Sequence, residues 1–146
     1  MNFEIVDASD RLPAEPYLSL LLMSAFPRPH DERIRIGEAF RDSEDRVFWV
    51  ALLDGLPAGG CGVVASSADV ATIRYLAVDR KLRGRGLGRC LVETAIARTD
   101  RSVVEAETDD DTTAFYAKCG FDVESLGEKY PGTVRYLCRY TKRRPV

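Results

Sequence analysis

The chain has a single histidine, His30, in 146 residues. A nucleophilic triad built on imidazole has only that residue to draw on. Its setting, PRPHDE, is that of a loop or a helix start. The four cysteines, Cys61, Cys90, Cys119 and Cys138, form no C-x-x-C pair and sit among apolar residues. They read as small buried thiols, and no metal site is expected. No apolar run reaches the ~18 residues of a membrane-spanning helix. The opening MNFEIVDASD lacks the basic start and apolar stretch of a signal peptide, so a cytoplasmic protein without membrane contact is expected. An overall excess of positive charge is also missing. The formal net charge is −2 and the pI near 5.5, which argues against a nucleic-acid partner. Basic residues cluster only locally, between Arg80 and Arg89 and in the short end Lys142 to Arg144, which reads as a solvated tail. There is no repeat, low-complexity tract or linker, so residues 1–146 read as one domain with a sizeable core.

What is present is a regular alternation of strand and helix patterns. NFEIVDA alternates as a short strand, and PYLSLLLMSAF reads as a helix bounded by prolines on both sides. HDERIRIGEAFRD predicts a second helix. DRVFWVALLDG and PAGGCGVVASS read as strands joined at Asp54-Gly55, followed by the long strand DVATIRYLAVD. GLGRCLVETAIART places Leu87, Cys90, Leu91, Thr94 and Ala95 on one helical face. RSVVEAET is a strand, and DDTTAFYAKCG a helix with Asp at its start and Gly120 at its stop. FDVESLGE and TVRYLCRYT are closing strands. The order β-α-α-β-β-β-α-β-α-β-β predicts a mixed α/β domain on one central sheet.

Where the long strand turns into a helix, the chain reads Arg83-Gly84-Arg85-Gly86-Leu87-Gly88. A helix N-terminus leaves backbone N–H groups unpaired and carries roughly half a positive charge. Glycines let that backbone approach an anion closely. With Arg83, Arg85 and Arg89 alongside, the turn reads as a cradle for phosphate or pyrophosphate. It lacks the Gly-Lys-Ser/Thr ending of a P-loop. It also has Arg89 where the dinucleotide fingerprint would need a third glycine.

LAVDRKLRGRGLGRCLVE resembles the acetyl-CoA-binding motif of the GNAT superfamily of N-acyltransferases, with Arg83, Gly86 and Gly88 at the signature positions. TAFYAKCGFDVE resembles a second segment of that family, through Tyr116, Gly120 and Phe121. The resemblance implies a twisted, mostly antiparallel sheet of six or seven strands with about four helices. It implies an acetyl-CoA-dependent N-acetyltransferase acting on an amine of a small molecule, protein or peptide, as a monomer or homodimer. The backbone of Leu76, Ala77 and Val78 would hold the pantetheine arm and polarise the thioester carbonyl. The turn from Arg83 through Gly84, Arg85, Gly86, Leu87 and Gly88 to Arg89 would hold the pyrophosphate. Many relatives carry Asn near the position of Asp109; here the run Asp109, Asp110, Asp111 stands there, and Asp111 is the candidate CoA contact.

An amine with pKa ~10 is only about 0.1% free base at pH 7, so a base or a desolvating pocket helps the reaction. Tyr116 is the candidate general acid for the departing thiolate. The spacing suggests that Phe115 and Cys119 face the core while Tyr116 turns toward the cofactor. Glu107 is the candidate base, with Glu105, Glu38 or a water chain as alternatives. The acidic run with Glu105 and Glu107 would suit a cationic amine. Arg33, Arg35, Arg41 and Arg46 would suit an acceptor that also bears a carboxylate. Two other readings stay open: an acyl-CoA-binding module without turnover, and an RNA-binding role for RGRGLGR.

Overall fold

In a computed structural model, which describes residues 3–142, seven strands form one sheet in the order β1-β2-β3-β4-β5-β7-β6. The strands are β1 (Phe3–Asp7), β2 (Arg46–Leu53), β3 (Leu56–Ala65), β4 (Val70–Val78), β5 (Val103–Thr108), β6 (Asp122–Tyr130) and β7 (Thr133–Thr141). Every neighbouring pair is antiparallel except β4 and β5. The helices are α1 (Tyr17–Leu21), α2 (His30–Asp42), α3 (Leu87–Arg98) and α4 (Thr113–Lys118). Of the basic end, Arg143 and Arg144 lie outside the described residues. No helix among the described residues is long and apolar enough to cross a membrane.

The period-two alternation of β2 builds two cores at once. Phe48, Val50 and Leu52 face α1 and α2, packing with Leu18, Leu21 and Phe40. Val47, Trp49 and Ala51 face the other side, where Leu87, Leu91, Val92 and Ala95 of α3 join Tyr116 and Phe121. In α3, Cys90, Thr94 and Ile96 flank this stripe and are half-buried. Of the four cysteines, Cys61 and Cys138 are buried, but Cys90 and Cys119 are only half-buried. The expectation of four buried thiols is corrected to that extent, because α3 and α4 each keep one flank in solvent.

Two helices are shorter than their patterns predict. α1 stops at Leu21, and the chain tightens into successive turns, with Met23 N–H donating to Leu20 O and Ala25 N–H to Leu22 O. Pro27 and Pro29 follow, and a proline disfavours helical geometry in the residue before it. The predicted helix over 110–120 divides into a 3-10 turn, Asp110–Thr112, and α4. Asp109 accepts a hydrogen bond from Asp111 N–H at the start of this turn. His30 is the first residue of α2, after Pro29.

The glycines of β3 are required by close packing. A Cβ on Gly60 would lie 2.6 Å from the Phe48 ring, and one on Gly62 would lie 2.9 Å from Leu21. Gly60→Ala should therefore lower the unfolding free energy by ~1–3 kcal/mol, as overpacking does. A urea midpoint that falls would bear this out; an unchanged midpoint would show that the Phe48 ring has room to move.

Candidate active site

The end of β4 and the start of α3 are built from short local contacts. Asp79 accepts from Lys81 N–H at 3.0 Å, closing the 3-10 turn Arg80–Leu82. Arg83 Nε donates back to Val78 O at 3.3 Å. Gly84 and Gly86 have φ of 79° and 84°, and an added Cβ at either would meet nothing within 4 Å. Left-handed backbone, and not lack of space, calls for glycine there. Gly86 caps α3, and Cys90 N–H is bonded to its carbonyl at 3.1 Å. The amides of Leu87, Gly88 and Arg89, in the first turn, are left without intrahelical acceptors. At Gly88 a Cβ would make ordinary contact with the Phe115 ring at 3.4 Å and with Val78 at 3.6 Å, so a larger side chain would fill the space between α3 and Phe115. Arg89 is held by Glu93 at 2.9 Å.

The second feature is a separation of strands. β4 and β5 pair only at Val70↔Val103, Ala71↔Val104 and Thr72↔Glu105. Beyond Thr72, β4 stays with β3, and β5 turns away with β7. The divergence begins at a β-bulge: Gly62 pairs with Tyr75 and Val63 with Ile73, leaving Arg74 as the extra residue. A bulge bends its strand and increases its twist. Asp79 N–H reaches Ala58 O on the β3 side. By alternation, Leu76 and Val78 turn their main-chain groups to the opposite side, into the gap, where Arg83 already holds Val78 O.

Two clefts meet in this gap. One, of about 750 Å³, runs along Leu76, Ala77 and Val78 past Leu82, Arg83, Gly84 and Gly86 to Gly88 and Arg89, with Phe115, Lys118 and Cys119 opposite. The other, of about 320 Å³, is lined by Ser24, Ile73, Arg74, Glu107, Asp109, Tyr116 and Arg135. Leu76, Thr112 and Phe115 border both.

This placement corrects the expected faces of α4 in part: Phe115 and Cys119 pack against the core as expected, but only half-buried. Phe115 and Cys119 line the first cleft, while Tyr116 is the buried residue of the helix. The Tyr116 ring lies between Phe115 and Phe121, with centroids at 5.1 and 5.3 Å. The reason is that α4 packs on β6 and β7 beside the gap, so its core-facing flank and its cleft-facing flank are adjacent. Tyr116 still borders the second cleft. Burial pushes its phenol well above the ordinary value. Asp111 is exposed and lines neither cleft, and Thr112 takes that position instead. The Thr112 hydroxyl is hydrogen-bonded to that of Thr108.

The candidate bases differ sharply. Glu107 lines the second cleft, with Lys129 Nζ at 2.6 Å and Arg135 Nε at 3.4 Å. The Lys129 hydrogen bond is the main reason its carboxyl is held below the ordinary value, despite partial burial. Glu105 is bound by Arg139 at 2.8 Å across the β5–β7 pair, and Glu38 is bridged to Arg41 at 3.6 Å; neither lines the second cleft. Arg33, Arg35, Arg41 and Arg46 do not line it either. Arg35 is paired with Asp31, Arg41 with Asp42 and Glu38, and Arg46 stacks on Phe40. The arginines that reach this cleft are Arg74 and Arg135. Among the described residues, no group of three or more His, Cys, Asp or Glu is arranged to hold a metal ion.

A family model described as an acetyltransferase (GNAT) domain matches residues 44–123, which span the gap, the glycine turn and α4. The chain belongs to the GNAT acetyltransferases. Solved structures agree on the fold. An aminoglycoside 6'-N-acetyltransferase complexed with coenzyme A is 17% identical, with TM-score 0.78 and full coverage of both chains. A GNAT family acetyltransferase from Elizabethkingia anophelis with acetyl-CoA bound is 20% identical, with TM-score 0.69, covering 96% of this chain and 98% of that one. A GNAT acetyltransferase from Streptococcus pneumoniae is 18% identical, with TM-score 0.70, covering 96% and 99%. No curated protein matches the chain significantly. This GNAT chain therefore has the family's sheet, with the predicted strand count and helix count.

The pairing around Glu107 was not visible in the sequence, because Lys129 and Arg135 are 22 and 28 residues away on the closing hairpin. It has a pH signature. A depressed folded pKa stabilises the fold above the unfolded value near 4.5, and that contribution is lost as pH falls through the folded value. Lys129→Met should move the Glu107 titration upward toward 4.5, followed by carboxyl-carbon NMR. A titration that does not move would show that Lys129 leaves Glu107 unpaired in solution.

Proposed function

We propose that this GNAT protein transfers the acetyl group of acetyl-CoA to a primary amine, with residues 1–146 acting as one catalytic domain. The observation that carries the reading is the continuity of the gap. Unpaired β4 main chain leads directly onto the left-handed glycines and the open first turn of α3. A thioester bound there would have an extended arm and an anionic end. The gap offers strand-like pairing for the first at the Leu76 main chain and the Val78 N–H, Val78 O being taken by Arg83. The α3 amides, with Arg83 beside them, offer an anion site for the second. The cleft volume of about 750 Å³ suits a ligand of that length.

Acetyl-CoA supplies the activated acetyl group and the acceptor supplies the amine lone pair. The two clefts give each its own approach, and both reach Leu76. A Leu76 N–H turned into the gap would donate to the carbonyl oxygen as negative charge builds there. The new C–N bond forms as the C–S bond breaks. Tyr116 is assigned the proton donated to the departing sulfur. Its raised pKa keeps the phenol protonated where an exposed tyrosine would ionise. Glu107 is assigned the amine side, taking the ammonium proton through water. Lys129 and Arg135 lower its proton affinity, so it is a weak base and the free-base fraction of the acceptor governs the rate.

Calorimetric titration with acetyl-CoA, followed by thiol release in the presence of amines, tests the reading. Micromolar binding is expected. Gly88→Leu, which would fill the space between α3 and Phe115, should weaken it at least ~10-fold, about 1.4 kcal/mol. Unchanged affinity in that variant would place the ligand elsewhere. Tyr116→Phe should keep acetyl-CoA affinity and reduce kcat by ~10-fold or more. In the unsubstituted enzyme the rate should rise with pH as the amine deprotonates, without a decline from Tyr116 below the ordinary tyrosine value of 10.0. A Tyr116→Phe enzyme with unaltered kcat would remove the tyrosine from the proton path.

A further inference from the structure

The acceptor cleft holds one cation that no carboxylate of the described residues pairs with. Arg74 is the extra residue of the β4 bulge, and its exposed side chain lines the second cleft. Among the described residues it has no ion pair or hydrogen bond. Across the cleft, Glu107 is one carboxylate shared by two cations, Lys129 at 2.6 Å and Arg135 at 3.4 Å. The Asp109 carboxylate, the other acidic group on the wall, is turned to the Asp111 N–H and the Thr112 hydroxyl. Two cations, Arg74 and Arg135, and two carboxylates, Glu107 and Asp109, line this cleft, and both carboxylates are turned to other partners. Arg74 is left with no counter-charge among the described residues.

We propose that Arg74 binds the carboxylate of the acceptor, so that the substrate is a small amino acid whose amine and carboxylate are close together. The inference rests on the acetyltransferase reading above. Guanidinium is built for bidentate contact with carboxylate, and an arginine on a rigid strand gives up little freedom on pairing. The position sets the spacing. Arg74 precedes Leu76 by two residues, under about 7 Å at roughly 3.3 Å per strand residue. An anion held by Arg74 therefore leaves its amine near the Leu76 end of the gap only when a few bonds separate the two groups. The cleft, about 320 Å³, admits a molecule of that size. A polyamine would bring further positive charge to Arg74 and Arg135, at a cost from like-charge contact.

The test compares L-amino acids with their α-amides as acceptors, at saturating acetyl-CoA. The acids are expected to exceed their amides in kcat/KM by at least tenfold. Arg74→Ala should erase that preference through KM, leaving kcat within a few-fold and acetyl-CoA affinity unchanged; Arg74→Lys should restore part of it. The proposal is overturned if amides or polyamines are used as well as acids, if no acid is used although acetyl-CoA binds, or if Arg74→Ala keeps the preference. Should Arg74→Ala not fold, the acid-to-amide ratio of the unsubstituted protein decides. Absence of acetyl-CoA binding is a different result and sinks the acetyltransferase reading itself.

Discussion

Everything at the site depends on β4 and β5 pairing for three residues and no further. Parallel strands side by side would satisfy each other's main-chain groups. Here the bulge at Arg74 bends β4, and β5 follows its antiparallel partner β7. The polar edge this leaves runs along Leu76 to Val78 at the wall of the first cleft. Such an edge needs either water or a ligand with strand-like hydrogen bonding. The helices are placed consistently with this. α3 follows β4 through the glycine turn, and α4 lines the open end with Phe115 and Tyr116.

The parts of this arrangement that are local in sequence were legible. Strand and helix order, the second helix at His30–Asp42 and the last strand at Thr133–Thr141 follow from hydrophobic period and turn residues. So does the glycine turn, because left-handed φ at Gly84 and Gly86 is written as glycine. What could not be read was non-local. The β5–β7 register that sets Arg139 against Glu105 depends on which strands become neighbours. Lys129 and Arg135 meet Glu107 only through the hairpin of β6 and β7. The burial of Tyr116 was misjudged for a related reason. Six helical residues are too few for their periodicity to say which flank meets the sheet, and tertiary packing decided it.

The two clefts differ in what lines them. The first follows the main chain of β4 and the opening amides of α3. Main-chain groups are the same whatever side chains they carry. Many sequences can therefore build such a cleft, provided the turn keeps its left-handed positions. Structures with 17–20% identity to this chain retain TM-scores of 0.69–0.78. The second cleft is lined by side chains from the α1–α2 connection, β4, β5, the turn before α4, α4 and β7. Ile73 and Tyr116 belong to the core, but Arg74 is exposed and Ser24 lies in a turn, so these two can change without disturbing the sheet's pairing. Specificity is thus free to vary where the common chemistry is not. The residues that tell one such enzyme from another should be sought on the β4 bulge and on the wall that β7 supplies, not in the glycine turn.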